Sequence, residues 1–228
     1  PVDYYRQMLK CPDPTVAHQI KKDMHRTNPT HAMFAVDSEV ATYNQLCMSR
    51  ILQAYAKHNP DVGYSQGFNY FVANLLIAFH SSQKMNLESL KISPTVEEDV
   101  FWVFLCIMEN DRFNFHHLYI DSTTDFMKEF MEKVEKNMPE WVERHLPNSI
   151  PNQDVISAFV TAQIHKWFPG FFHVFEYQTT ILFLDRMFRF VEQTKTPSQE
   201  ISPGRLFLYD LVGGLTKTSA THIHLVQG

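Results

Sequence analysis

The sequence predicts an all-α, multi-helix domain, and three observations point that way. Its 228 residues are 44% apolar and include 19 Phe but only 7 Gly, so packing of long side chains rather than turn-rich sheet is the expected style. Apolar residues recur at helical spacing, as in Phe68, Phe71, Val72, Leu75, Leu76 and Phe79, which share one face of a 3.6-residue repeat. Proline breaks such as Asn59-Pro60 separate these stretches, because proline removes a backbone donor and biases its predecessor toward extended geometry. The length suits one domain, or a domain with an extension, that buries a substantial core.

From the N-terminus, Tyr4, Tyr5, Met8 and Leu9 make a short apolar-aromatic patch that ends at the breaker Cys11-Pro12-Asp13-Pro14. A helix is expected from Thr15 to about His25, with Val16, Ile20 and Met24 spaced four apart on one face. Asp23 and Arg26 are three apart and can meet. Thr27-Asn28-Pro29-Thr30 ends that helix, so Arg26 falls at or just past its C-terminus, and a loop runs to about Asp37. The next helix spans Ser38 or Glu39 to Lys57. After the turn Asn59-Pro60-Asp61-Val62-Gly63, another is expected from about Tyr64 to Phe79, with Tyr64, Ser65, Gln66, Gly67 and Asn69 in its first turn.

Residues 80–94 are polar and irregular, as in a loop. Thr95-Val96-Glu97-Glu98 has capping-box spacing, with Thr95 accepting from the backbone and Glu98 reaching back. The helix behind it, Asp99 to about Glu109, is apolar nearly all round and expected to be buried. The aromatic stretch Asn110 to Asp121 then breaks the pattern. Helices are expected toward Lys136, around Pro139 to His145 with proline in the first turn, over Asn152 to Phe168 and over Phe175 to Val191. Beyond Val191 the run EQTKTPSQEISPG resembles a surface linker. The expected division is a helical domain over residues 1–191, then a polar linker and C-terminal segment over 192–228. There is no internal repeat and no heptad run.

Composition excludes several functions. A net charge of −5 and a pI near 6.2 argue against nucleic acid as a partner, which needs clustered Lys and Arg. Cys11, Cys47 and Cys106 are odd in number and widely spaced, which favours reduced thiols in a cytoplasmic setting over disulfides or a zinc site. Cys47 and Cys106 lie in apolar helical patterns and are expected in the core. The most apolar window, Phe101 to Met108, is far shorter than the roughly 20 residues of a membrane span. No phosphate-binding loop of the type G-x-x-x-x-G-K-[ST] and no nucleophile elbow G-x-S-x-G occur. In His116-His117 with Asp121 potential ligands stand four apart, but no further ligands that would complete a set are evident nearby, so no metal site is expected.

Two short segments carry the candidate chemistry. An Arg in the last turn of a helix complements the helix dipole, worth about 0.3–1 kcal/mol, and needs no further role. A Gln at a helix start is donor and acceptor at once, so Gln66 can orient a water or simply cap its helix, and residue chemistry alone favours the cap. The first amides of that helix also suit an anionic or phosphate-bearing partner.

Taken together, Ile20-x-x-Asp23-x-x-Arg26 and Tyr64-x-Gln66-Gly67-x-Asn69 resemble the paired motifs of the TBC domain, the helical module of Rab GTPase-activating proteins. Arg50-Ile51-Leu52, Ala54-Tyr55, Asn59-Pro60 and Val62-Gly63-Tyr64 sit in that family's order, and the resemblance extends from about Tyr4 to Phe190. Where the family has a Trp before an Asp, this chain has Leu184 in Phe183-Leu184-Asp185, and the tail matches nothing in the family. The chain begins at Pro1 without Met, which reads as a fragment lacking the domain's opening segment.

The resemblance implies that Arg26 is a finger stabilising transition-state charge in a Rab-family GTPase and that Gln66 is a second finger orienting the attacking water. Asp23 would hold Arg26, while Tyr64, Gly67 and Asn69 would shape the loop presenting Gln66. It implies no cofactor of the chain's own, since GTP and Mg²⁺ arrive with the GTPase. It also implies a role in vesicle trafficking and peripheral association with endomembranes through the partner. The alternative is the same fold used as a binding scaffold without GTPase activation.

Overall fold

A computed structural model of the chain describes residues 3–35, 38–82, 90–113, 115 and 177–194. Among the described residues there are six helices: α1 (Tyr4–Met8), α2 (Pro14–Met24), α3 (Glu39–His58), α4 (Phe68–Ser82), α5 (Pro94–Glu109) and α6 (Tyr177–Gln193). The fold is all-α. The chain forms two compact units, Pro1–Met108 with Trp167–Leu184, and Glu109–Lys166 with Asp185–Gly228. The helices expected over 121–136, 139–145 and 152–168, the His116-His117-Asp121 group and residues 195–228 lie outside the described residues.

Helix starts follow local capping chemistry. Asp13 precedes α2, and its carboxylate accepts from the N–H groups of Thr15 and Val16 at 2.7 and 3.2 Å, with Pro14 at the first helical position, where its missing donor is harmless. Ser38 caps α3 through the N–H of Ala41. The expected Thr95–Glu98 box does not form. Ser93 takes that role for α5, its hydroxyl accepting from Val96 N–H at 3.2 Å and its carbonyl from Glu97 N–H at 3.0 Å, because Pro94 suits the position just after a cap.

The second difference concerns α4, which begins at Phe68 rather than Tyr64 and continues to Ser82. Gly67 has φ +109°, a value that interrupts a right-handed helix and is open to glycine at low cost. Gln66 therefore stands in the turn before α4, not inside it.

In the first unit α3 is central, packing against α1, α2 and α4, and α2 also meets α4. Tyr55 on α3 faces Phe104 on α5 and Phe68 on α4, with ring centroids 4.9 and 5.8 Å away. Phe68 and Phe71 each lie 5.5 Å from Phe104, edge to face. Such pairs add about 0.5–1.5 kcal/mol each beyond area burial, so the start of α4 is fixed to two other helices. Asn44, fully buried on α3, donates through Nδ2 to the carbonyls of Met33 and Leu90 at 2.9 Å and accepts from Ile92 N–H at 3.0 Å. That one amide fastens two connecting segments to the central helix.

A charged network joins α1, α3 and α5. Arg50 donates from Nε and Nη2 to the two carboxylate oxygens of Glu97 at 2.7 and 2.6 Å, and Tyr5 OH donates to Glu97 Oε1 at 2.6 Å. Burial, reinforced by the Glu97 charge, pushes the Tyr5 phenol well above its ordinary range, so it stays a donor.

Cys47 is buried as expected, and burial followed by the Glu97 charge pushes its thiol up to about 12. Cys106, expected in the core, is exposed. The buried side of α5 carries Val100, Phe101, Phe104, Ile107 and Met108, and Cys106 falls opposite. An almost wholly apolar helix has no polar stripe to show which face turns outward. A thiol reagent at pH 8 is expected to label Cys11 first, Cys106 next because partial burial raises its thiol, and Cys47 only after unfolding. Peptide mass mapping over time reads that order, and early labelling of Cys47 would contradict its burial.

In the second unit the Arg112 guanidinium donates to the carbonyls of Val191 and Thr194 at the end of α6, supplying a positive charge where a helix C-terminus favours one. Phe113 meets Phe188 edge to face at 5.3 Å.

Candidate functional site

The site is organised by one buried carboxylate. Asp23, in the last turn of α2, is 4% exposed, and a charge in that setting needs partners. Its Oδ1 accepts from Arg26 Nη2, and its Oδ2 accepts from Tyr64 OH at 2.5 Å. The pairing of Asp23 with Arg26 that the three-residue spacing allows is thus present. Tyr64 also lies 3.4 Å from Asn69 Oδ1, but a phenol has one proton, and the shorter contact takes it. Burial first, and then the Asp23 hydrogen bond and charge, push the Tyr64 phenol far above its ordinary range.

A second set of bonds runs beneath the turn that carries Gln66. Asn69, fully buried, accepts from Gly67 N–H at 3.0 Å through Oδ1 and donates from Nδ2 to Thr27 Oγ1 at 2.7 Å. The backbone N–H can only donate, which fixes the orientation of the Asn69 amide. Thr27 Oγ1 in turn donates to the carbonyl of Asp23 at 2.7 Å. The Arg26 carbonyl accepts from Tyr70 OH at 3.3 Å. Below the turn, the Tyr64 ring rests edge-on against Phe68 at 6.4 Å.

Above this buried layer the side chains of Arg26 and Gln66 are exposed, Arg26 by half. The guanidinium has five N–H donors in a planar fork, and the pairing with Asp23 engages only Nη2. Gln66 does not cap α4. Gly67 stands directly before that helix, its carbonyl accepting from the N–H groups of Tyr70 and Phe71. The N–H groups of Gly67 and Phe68 are already satisfied by Asn69 and by the Ser65 carbonyl, which leaves the helix start with fewer open donors than the sequence suggests.

The six residues singled out in the sequence, Asp23, Arg26, Tyr64, Gln66, Gly67 and Asn69, thus lie on two segments joined by side-chain bonds. Sequence reasoning missed Thr27 and Tyr70. Thr27 had a signal, because a Thr four residues after Asp23 can bond that residue's carbonyl. Tyr70 had none, since its partner comes from a distant segment.

The model of the Rab-GTPase-TBC domain family matches residues 2–199. The chain belongs to the TBC domain family. Members of that family typically act as Rab GTPase-activating proteins. The chain is 34% identical over 106 residues to TBC1 domain family member whacked of Drosophila melanogaster, covering 46% of the chain and 24% of that protein. It is 32% identical over 109 residues to Small G protein signaling modulator 3 of Mus musculus, covering 46% and 12%. It is 33% identical over 75 residues to Growth hormone-regulated TBC protein 1-A of Danio rerio, covering 32% and 20%. The chain thus spans about a quarter or less of the length of these relatives. No solved structure gives a significant match.

Within this TBC domain, no group of three or more His, Cys, Asp or Glu side chains able to hold a metal ion occurs among the described residues. None of the described helices is long and apolar enough to cross a membrane. Leu184, where the family has Trp, is 4% exposed on α6.

Proposed function

We propose that this TBC domain is a GTPase-activating protein for a Rab-family small GTPase, acting in trans through Arg26 and Gln66. The observation that carries this reading is the two-layer site. Asp23, Thr27 and Asn69 are polar yet 4%, 0% and 0% exposed, while the two residues they surround, Arg26 and Gln66, are presented to solvent. A fold that buries so much polarity under two exposed side chains is built to present them.

In GTP hydrolysis an activator contributes positioning and charge stabilisation, and an arginine in trans is worth about 10³–10⁵ in rate. Arg26 fits because its charge is permanent and its fork matches phosphate oxygens. Gln66 fits because its amide can accept from a water while donating to a phosphate oxygen. GTP and Mg²⁺ would be brought by the GTPase. Association with endomembranes would follow through that partner.

The test is single-turnover hydrolysis by a panel of GTP-loaded Rab GTPases with and without the domain. At least one is expected to be accelerated by about 10³-fold or more. Binding to a GTPase without acceleration would replace this reading with that of a scaffold.

A further inference from the structure

We propose that Thr27 is a positioning residue that holds Arg26 and Gln66 in one fixed relation, a role that rests on the GTPase-activating reading above. Thr27 is bonded through the chain to Arg26, and Gly67 likewise to Gln66. The gap between Thr27 and Gly67 is closed by two hydrogen bonds, Asn69 Nδ2 to Thr27 Oγ1 at 2.7 Å and Gly67 N–H to Asn69 Oδ1 at 3.0 Å. Two other ties near the site, Arg26 to Asp23 to Tyr64 and Tyr70 OH to the Arg26 carbonyl, end on residues that do not adjoin Gln66. The Thr27 route ends at the adjoining peptide.

The tie matters because Gly67 by itself specifies little. Glycine visits positive and negative φ about equally, so its φ of +109° must be selected by what its N–H binds. That acceptor is Asn69, and Asn69 is held by Thr27, which is 0% exposed and takes no part in any contact with solvent. Without the hydroxyl the Asn69 donor is left buried and unpaired, and the amide can rotate away from Gly67. Gln66 then samples several positions rather than one. A displacement of about 1 Å in a positioning group can lower a rate about 10²-fold.

The experiment uses Thr27→Val, which keeps the shape and removes the hydroxyl, and Thr27→Ser, which keeps the hydroxyl. Both are compared with the unmutated domain on a GTPase that it accelerates. The hydrolysis rate at saturating T27V is expected to fall about 10²-fold, while the concentration for half-saturation stays within about 3-fold and T27S restores the rate. Hydrogen exchange at the Gly67 amide should speed up in T27V. Should T27V not fold, Thr27→Ala repeats the test with a small void in place of a mismatched methyl.

An unchanged saturating rate in the hydroxyl-less variant overturns the proposal, as does unchanged exchange at Gly67. A loss that T27S does not restore assigns Thr27 to packing and overturns it too. If the unmutated domain accelerates no GTPase, the GTPase-activating reading itself falls, and the catalytic role of Thr27 with it, whatever the exchange shows.

Discussion

Arg26→Ala is expected to lower the rate of GTP hydrolysis at saturating domain by about 10³-fold or more, with a much smaller change in the affinity of the complex. Half of the Arg26 side chain is exposed and its main contact is with Asp23 beside it, so its removal deletes little packing. On the two-finger reading, what disappears is a charge that acts on the transition state rather than on binding. Arg26→Lys is expected to recover little. An ammonium can still pair with Asp23, but it lacks the planar fork that reaches two phosphate oxygens together. Gln66→Ala is expected to cost about 10²–10³-fold, the range for removing one preorganised polar group from a developing charge. Single-turnover hydrolysis at several domain concentrations separates rate from affinity. Full activity of the Arg26→Ala domain would remove the basis of the two-finger mechanism.

The largest loss of stability is expected from Arg50, whose carboxylate partner is Glu97 on α5. Arg50→Met should destabilise the fold by about 3–5 kcal/mol, because it leaves the Glu97 carboxylate buried without its counterion. Glu97→Met should cost less, about 1–3 kcal/mol, mainly from the buried Tyr5 hydroxyl that loses its acceptor. The asymmetry follows from exposure: the Arg50 side chain is 36% exposed and Glu97 only 6%, so a stranded Arg50 can turn to water while a stranded Glu97 cannot. The double substitution should cost less than the two single costs added together, since contacting partners are not independent. Urea unfolding of the three variants measures this, and equal single costs that sum would show that the pair contributes nothing as a pair.

The all-α class was legible because helical spacing and proline breaks recur along the chain, and Asp23 with Arg26 was legible because three residues place two side chains on one helix face. What failed to show in the sequence shares a physical cause. The start of α4 follows the backbone angle of Gly67, whose N–H is bonded to Asn69 two residues on, and Asn69 in turn to Thr27 on a distant segment, a partnership that no local pattern announces. Ser93 and Thr95 both have a hydroxyl suited to capping α5, and only the place of Pro94 decides between them. Cys106 looked like core because nothing around it on α5 is polar enough to mark an outer face. Local chemistry predicts elements well when it is one-sided and poorly when two readings satisfy it equally.

The tether between Asp23 and Arg26 also bears on how long a complex should last. A free arginine gives up side-chain freedom on docking, at about 0.5–1.5 kcal/mol for an immobilised side chain. Arg26 has given up much of that freedom before any partner arrives, because Asp23 already holds Nη2. If Arg26 is the finger proposed above, its interface would need no large contact area to organise that side chain, and a loose, short-lived association would be enough. Residence time is set mostly by the dissociation rate, so a domain with fingers ordered in advance can leave quickly after each hydrolysis. One copy could in this way serve many GTPase molecules in succession.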